Sequence, residues 1–313
     1  MELISKIIKL KAVVDVKQSL FSGQSFLWDN YDHTNNYYMT IIKNTPLIIR
    51  QLSDNTIEVI SNSMNVDSII IDEFINNYFS IEVDVNKIYS ENLRKLYPDV
   101  YSRLNGYYPL RILRQDPFET MISFMCAQGI GMHIIRKQVS MLKKFYGEKL
   151  SITFNGDEIL LYAFPTPQRL ANADLSQLSF CTNNNKIRAA NIILAARSVV
   201  DGSLDLNILG ASEIPLAQLR NTLCQIRGIG FKIADCIALF GLGRFDAFPI
   251  DTHVKQYLGT WFKSTTAFRS LSPANYLILD AEARTFLNPD FAGYAGHILF
   301  HCWRKEIKKL QSF

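Results

Sequence analysis

Residues 223–253 read LCQIRGIGFKIADCIALFGLGRFDAFPIDTH, and the rest of the chain is best understood outward from them. Apolar residues open the stretch, Gly228-Ile229-Gly230 interrupts it, and a helical apolar period resumes at Ile233, Ala234, Ile237 and Ala238. This pattern predicts a helix, a tight hairpin and a second helix, together covering 223–242. Without a Cβ, Gly228 and Gly230 accept positive φ and let another backbone approach closely. The unpaired N–H groups that begin the second helix then point outward at an anion, and a phosphate fits that description.

Lys232 follows in the first turn of the second helix, where a cation opposes the helix dipole. That position disfavours the charged form, as a nucleophilic amine requires. Further on, Pro249-Ile250-Asp251-Thr252-His253 places a carboxylate at the N-cap of another helix. For any one of these residues a structural role is sufficient. Their order within one short segment points instead to an anion-binding turn, an amine and a carboxylate acting together.

The order Ile226-Arg227-Gly228-Ile229-Gly230-Phe231-Lys232-Ile233-Ala234-Asp235-Cys236, followed by Phe248-Pro249-Ile250-Asp251-Thr252-His253, closely resembles the helix-hairpin-helix DNA glycosylases. Within them it is most similar to the 8-oxoguanine DNA glycosylase family, whose hairpin runs approximately LPGVGxKVADC and whose loop runs VPVDVH. Four further stretches carry the same resemblance: Phe21-Ser22-Gly23-Gln24-Ser25-Phe26-Leu27-Trp28, Leu113 to Glu119, Phe164-Pro165-Thr166-Pro167, and Ala292-Gly293-Tyr294-Ala295-Gly296 leading to Phe300.

The resemblance implies roles residue by residue. Lys232 would attack the sugar C1′ and, through a Schiff base, permit strand cleavage by β-elimination; Asp251 would stabilise the cationic sugar. Cys236, one turn beyond Lys232 on the same helix face, and Phe300 would sandwich the everted base, with Pro249 and Phe240 lining the same pocket. Core packing would suit Cys236 and Phe300 equally well. The Gly23 carbonyl would accept from N7–H of the oxidised base, although a turn before a buried Trp28 also explains that glycine. Gly228, Gly230 and His253 would contact phosphates. No metal is required, but the carbonyls of Cys224, Ile226 and Ile229 could hold a cation bridging to phosphate. His297 and His301 stand at a spacing that can bind zinc, yet no third ligand accompanies them and structural roles are expected.

Two departures stand out. Where mammalian-like members carry consecutive asparagines that read the opposite cytosine, this chain has Ala127-Gln128-Gly129-Ile130-Gly131-Met132. Glycines make no side-chain hydrogen bonds to a base edge, so selectivity for the opposite base should be relaxed, and Gln128 or Met132 would fill the gap left by the extruded nucleotide. Gly296 stands where the family has a glutamine that binds the damaged base, which argues against strict specificity.

Length and composition agree with this frame. A chain of 313 residues can bury more than one core, and 48% hydrophobic with 20% charged residues is the balance of an ordinary globular protein. A net charge of +4 is compatible with nucleic acid without demonstrating it. The five cysteines form no CxxC pair and no four-cysteine iron–sulfur loop, which some wider relatives carry; scattered thiols suggest a reducing compartment. The opening MELISKIIKLKAVV is broken by Lys6, Lys9 and Lys11, unlike a signal peptide, and no apolar run approaches the length of a membrane span.

Along the chain, residues 1–85 alternate short β-branched and aromatic runs (37–42, 46–50, 56–60) with turn residues, predicting an antiparallel sheet domain. Helical periods follow from about Val83, near 86–105, 116–128, 131–146, 184–200, 213–226, 230–242, 252–262, 272–287 and 290–310, so 86–313 is expected to form a helical body. Asp116 and Thr166 are placed as N-caps, each followed by a proline at the first helical position.

The expectation is therefore an α+β protein: a bifunctional glycosylase and lyase that flips 8-oxoguanine out of damaged double-stranded DNA. It is expected to be a cytoplasmic monomer, nucleoid-associated if prokaryotic, with no cofactor, iron–sulfur cluster or membrane partner. The alternatives are a monofunctional alkylpurine glycosylase, which typically lacks the lysine, and a non-catalytic helix-hairpin-helix DNA-binding module.

Overall fold

A computed structural model of the chain describes residues 2–32, 34–210 and 213–309. Its first 61 residues build a five-stranded antiparallel sheet from β1 (Ile4–Lys9), β2 (Asp29–Asp32), β3 (Tyr37–Ile42), β4 (Thr45–Ser53) and β5 (Thr56–Ser61). The spatial order is β1-β5-β4-β3-β2. Lys43 and Asn44, at φ of 48° and 61°, make the two-residue turn that joins β3 to β4, whose right-handed twist such turns match. The three β-rich runs expected from sequence are β3, β4 and β5. One short helix interrupts this region, Val16–Phe21, capped by the Asp15 carboxylate on Gln18 N–H, and another, Ile71–Tyr78, follows it.

Packing divides the described chain into two compact units that interleave in sequence, one of residues up to 82 together with 122–205, the other of 83–121 together with 206 onward. This differs from a division at residue 85 by hydrophobic period, and the reason lies in a second hairpin. Strands Lys149–Phe154 and Asp157–Tyr162 pair across Asn155-Gly156, at φ of 54° and 89°, inside the region read as helical. Ile152 and Phe154 join Met39, Ile48 and Ile60 of the sheet in one apolar cluster, with the rings of Tyr31 and Tyr37 set 5.7 and 5.1 Å from that of Phe154. Burial of that shared face draws 122–205 to the sheet. The helices Met132–Tyr146, Pro167–Ala171, Leu175–Cys181 and Lys186–Val200 complete this unit.

The second unit is helical. The segment expected over 86–105 is broken into Val85–Ile88, Glu91–Leu96 and Pro98–Arg103, because Ser90 starts one helix as a cap and Pro98 starts the next. Leu216–Cys224, Phe231–Phe240, Thr252–Trp261, Pro273–Ala283 and Ala292–Glu306 form its body. Asp116 caps the helix beginning at Pro117, accepting from Phe118 and Glu119 N–H at 2.9 and 3.0 Å. Thr166 does the same for the helix at Pro167. Ala292–Glu306 is the central helix, buried continuously from Ala292 to Leu299. Gly293 lets the chain between the hairpin and Asp251 lie directly on it: a Cβ there would sit 1.8 Å from the Ala247 carbonyl oxygen, and Gly293 N–H donates to Phe245 at 2.9 Å. Among the described residues, no helix is long and apolar enough to cross a membrane.

Candidate active site

The hairpin joins Leu216–Cys224 to Phe231–Phe240, with Gly228 at φ 92° in the turn, as a residue without a Cβ allows. Gly230 behaves differently from the expectation of positive φ. It is extended, at φ −105° and ψ 179°, and a Cβ there would meet nothing within 4 Å. Its small size leaves the mouth of the second helix open. Of the three carbonyls considered for a cation, that of Ile226 accepts from Ile229 N–H at 3.0 Å.

Lys232 is the second residue of the helix and half-buried. One turn on, the Cys236 thiol is fully buried, and burial pushes its pKa up to about 12, against the pull of the neighbouring Lys232 ammonium, which also hydrogen-bonds to it. The carboxylates of Asp235 and Asp251 raise it further. A neutral thiol thus lies within electrostatic reach of both the amine and the Asp251 carboxylate. Asp251 is the N-cap of Thr252–Trp261, and its Oδ1 accepts from the N–H groups of His253 and Val254 at 2.8 and 2.9 Å. Two backbone bonds to one oxygen orient this carboxylate, and the Arg304 guanidinium lies within its electrostatic reach.

Phe300 lies against His253, two residues beyond Asp251. Its ring meets His253 edge-on at 5.9 Å, stacks on His297 at 5.6 Å, and carries the Arg304 guanidinium over it at 5.4 Å. Burial disfavours the charged form of His253, with Arg304 and Lys308 acting in the same direction and Asp251 against it. Its Nδ1 is buried with no hydrogen-bond partner among the described residues. Phe240 is 3% exposed and packs edge-on against His297 at 5.1 Å, whereas Pro249 is half-buried. Burial drives the pKa values of both His297 and His301 down to about 3, so these imidazoles are neutral packing groups at neutral pH.

Gly296 is crowded. A Cβ on it would lie 2.3 and 2.5 Å from two ring carbons of Phe248. The ring occupies the space a side chain would need, so Gly296→Gln is expected to cost roughly 1–3 kcal/mol through overpacking. A lowered urea midpoint for that variant, largely restored in the Phe248→Val, Gly296→Gln double variant, would be the measured signature. Equal midpoints for single and double variants would contradict the steric explanation.

Gly23, Gln128 and Met132 belong to the other compact unit. Gly23 has φ 100° in the turn after Val16–Phe21, followed by Gln24, whose side chain donates to the Ser19 carbonyl at 2.7 Å. Trp28, expected to be buried, is 1% exposed and donates from its indole to Tyr78 at 2.8 Å. Gln128 is exposed and Met132 half-buried, flanking Gly129 at φ 68°; the Gln128 carbonyl is held by Arg188 at 2.8 Å.

Several residues of the site were not singled out from sequence. Arg304 lies four residues beyond Phe300, on the same helix face, a spacing that marks it as a neighbour. Arg220, Tyr276 and Asp280 carry no local signal, since they come together with Asp235 only in space.

Comparison with known proteins adds to this geometry. The profile described as 8-oxoguanine DNA glycosylase, N-terminal domain, matches residues 6–121. An N-glycosylase/DNA lyase of Saccharomyces cerevisiae is 27% identical over 258 residues, covering 76% of this chain and 65% of its own length. The alignment therefore spans less than two thirds of that relative. Among solved structures, the apo-form of the Clostridium acetobutylicum 8-oxoguanine glycosylase/lyase superposes with a TM-score of 0.78 at 26% identity, covering 95% of each chain. MBOgg1 in complex with a low-affinity DNA ligand superposes at 0.77, also 26% identical, covering 97% of this chain and 99% of its own.

Proposed function

Because the chain belongs to the helix-hairpin-helix DNA glycosylases, in the 8-oxoguanine DNA glycosylase family, we propose that it excises oxidised purine from duplex DNA and then cleaves the strand. The observation that carries this reading is the buried Cys236 thiol within reach of both the Lys232 amine and the Asp251 carboxylate. An amine and a carboxylate that both act on one buried thiol suit attack on a glycosidic carbon whose charge becomes positive as the base leaves.

In this mechanism the Lys232 nitrogen bonds to C1′ as the C1′–N9 bond breaks, and the proton that nitrogen sheds goes to the departing purine. Breaking of the C1′–O4′ bond, with O4′ taking up a proton to become the 4′-hydroxyl, opens the sugar to a Schiff base, and removal of a C2′ proton then expels the 3′ phosphate by β-elimination. Asp251, held by two backbone N–H groups, stabilises the cationic sugar. Unstacking the target nucleotide costs a few kcal/mol, offset by contacts to the flipped base and to the backbone. Cys236 and Phe300 are assigned to the faces of the base, Gly23 to its N7–H, and Pro249 and Phe240 to the pocket lining. Of these, the burial of Phe240 against His297 supports a supporting wall in place of direct contact. Gly228 and Gly230, with His253, are assigned to phosphates, and Gln128 and Met132 to the gap in the duplex, with relaxed choice of the opposite base. The enzyme acts without a cofactor, as a monomer on cytoplasmic or nucleoid DNA.

Borohydride trapping on a duplex carrying 8-oxoguanine tests the reading. A covalent protein–DNA adduct and a nicked strand are expected, with neither on undamaged duplex. Base release without an adduct would favour an alkylpurine-type hydrolytic enzyme, and salt-sensitive binding without release from any lesion would favour a non-catalytic module.

A further inference from the structure

A buried polar cluster ties together the two hairpin helices, the helix Pro273–Ala283 and the loop that leads into Asp251. The Arg220 guanidinium, on the first hairpin helix, pairs bidentately with Asp235 at 2.6 and 2.9 Å and reaches Asp280 at 3.0 Å. Asp235 lies three residues beyond Lys232, and both it and Arg220 are buried. Arg284 in turn holds Asp280 at 3.0 Å and the Asp246 carbonyl at 2.7 Å. At the centre is Tyr276, on Pro273–Ala283, 3% exposed. Its hydroxyl donates to Asp235 Oδ2 at 2.6 Å, lies 3.1 Å from the Phe248 carbonyl oxygen, and accepts the Ile250 N–H at 3.1 Å. Its ring packs at 5.5 Å against Phe231, the residue preceding Lys232.

One oxygen therefore grips the lysine-bearing helix on one side and, on the other, the backbone on either side of Pro249, immediately before Asp251. Arg220 already supplies the counter-charge for Asp235; what the hydroxyl adds is the link to the backbone at Phe248 and Ile250. Packing alone would hold this loop less sharply, because its N–H and carbonyl groups at Ile250 and Phe248 would otherwise be buried without these partners.

We propose that Tyr276 is a positioning residue, setting the separation of the Lys232 amine and the Asp251 carboxylate by tying the helix that carries the first to the loop that delivers the second. This rests on the glycosylase reading for its catalytic consequence, though not for the tie itself.

Tyr276→Phe removes the one oxygen and keeps the ring. Amide hydrogen exchange should accelerate at least about tenfold at Ile250, His253 and Val254, with the central helix Ala292–Glu306 unchanged. Single-turnover base excision from an 8-oxoguanine duplex should fall on the order of 10- to 100-fold, since misplacement by a fraction of the reacting distance is costly. The same substitution in an Asp251→Asn background should slow excision by less than about twofold, because the carboxylate it positions is already gone. A general loss of stability would lower both backgrounds alike. If Tyr276→Phe does not accumulate as folded protein, Asp235→Asn weakens the same tie from its other end and is read in the same way. Unchanged exchange at the three amides, or equal losses in the two backgrounds, would overturn the proposal. If wild type releases no base, the functional reading fails, and the exchange measurement alone decides whether Tyr276 holds the loop.

Discussion

Lys232→Gln is expected to yield no borohydride-trapped adduct and no strand nicking, and to lower base excision by at least about 10³-fold, some 4 kcal/mol of barrier. The substitution keeps most of the length and the helix propensity of the side chain at the second position of Phe231–Phe240, so the fold should persist. What it removes is the amine that the proposed mechanism bonds to C1′ and keeps attached through elimination. The neighbouring Cys236 cannot substitute, because burial keeps its pKa at about 12 and hence its thiol protonated at neutral pH. An adduct of undiminished yield in the variant would place the nucleophile elsewhere and dismantle the mechanism.

Asp251→Asn should slow excision by roughly 10²–10³-fold while leaving the protein nearly as stable as wild type. The two consequences separate because Asp251 has two duties. As the N-cap of Thr252–Trp261 it accepts from His253 and Val254 N–H, a task asparagine performs about as well, so stability should change by less than about 1 kcal/mol. In the proposed mechanism it is also the charge that faces a developing sugar cation, a task with no uncharged substitute. Asp251→Ala should therefore show both losses, slower excision and a lower melting temperature, and Asp251→Asn only the first. Equal melting losses in the two variants would mean that the charge, not the cap, holds the helix.

Much of this site could be read locally. Gly228, Lys232, Asp251 and the caps at Asp116 and Thr166 each reflect rules that act over a few residues: backbone freedom, a helix's unpaired N–H groups, and the oxygen that satisfies them. The strands β3, β4 and β5 were legible for the same reason, through their alternation and turn residues. The hairpin at 149–162 was equally local, signalled by Asn155-Gly156 between β-branched runs, and was obscured because its neighbours on both sides have a helical period. Gly230 illustrates the opposite case: glycine in a tight turn suggests positive φ, yet here the residue is extended and what it contributes is empty space.

By itself, then, the sequence determined the α+β character, the hairpin, the order of amine and carboxylate, and the start of each helix that bears on them, since all of these follow from interactions between near neighbours. Only the tertiary structure decided that 122–205 packs with the sheet, that the Phe248 ring takes the space beside Gly296, and that Tyr276, Asp235 and Arg220 meet behind Lys232. Those outcomes depend on which apolar faces find one another and on buried polar groups finding partners from distant parts of the chain. The spacing of residues along the backbone carries no record of such pairings until the core has formed.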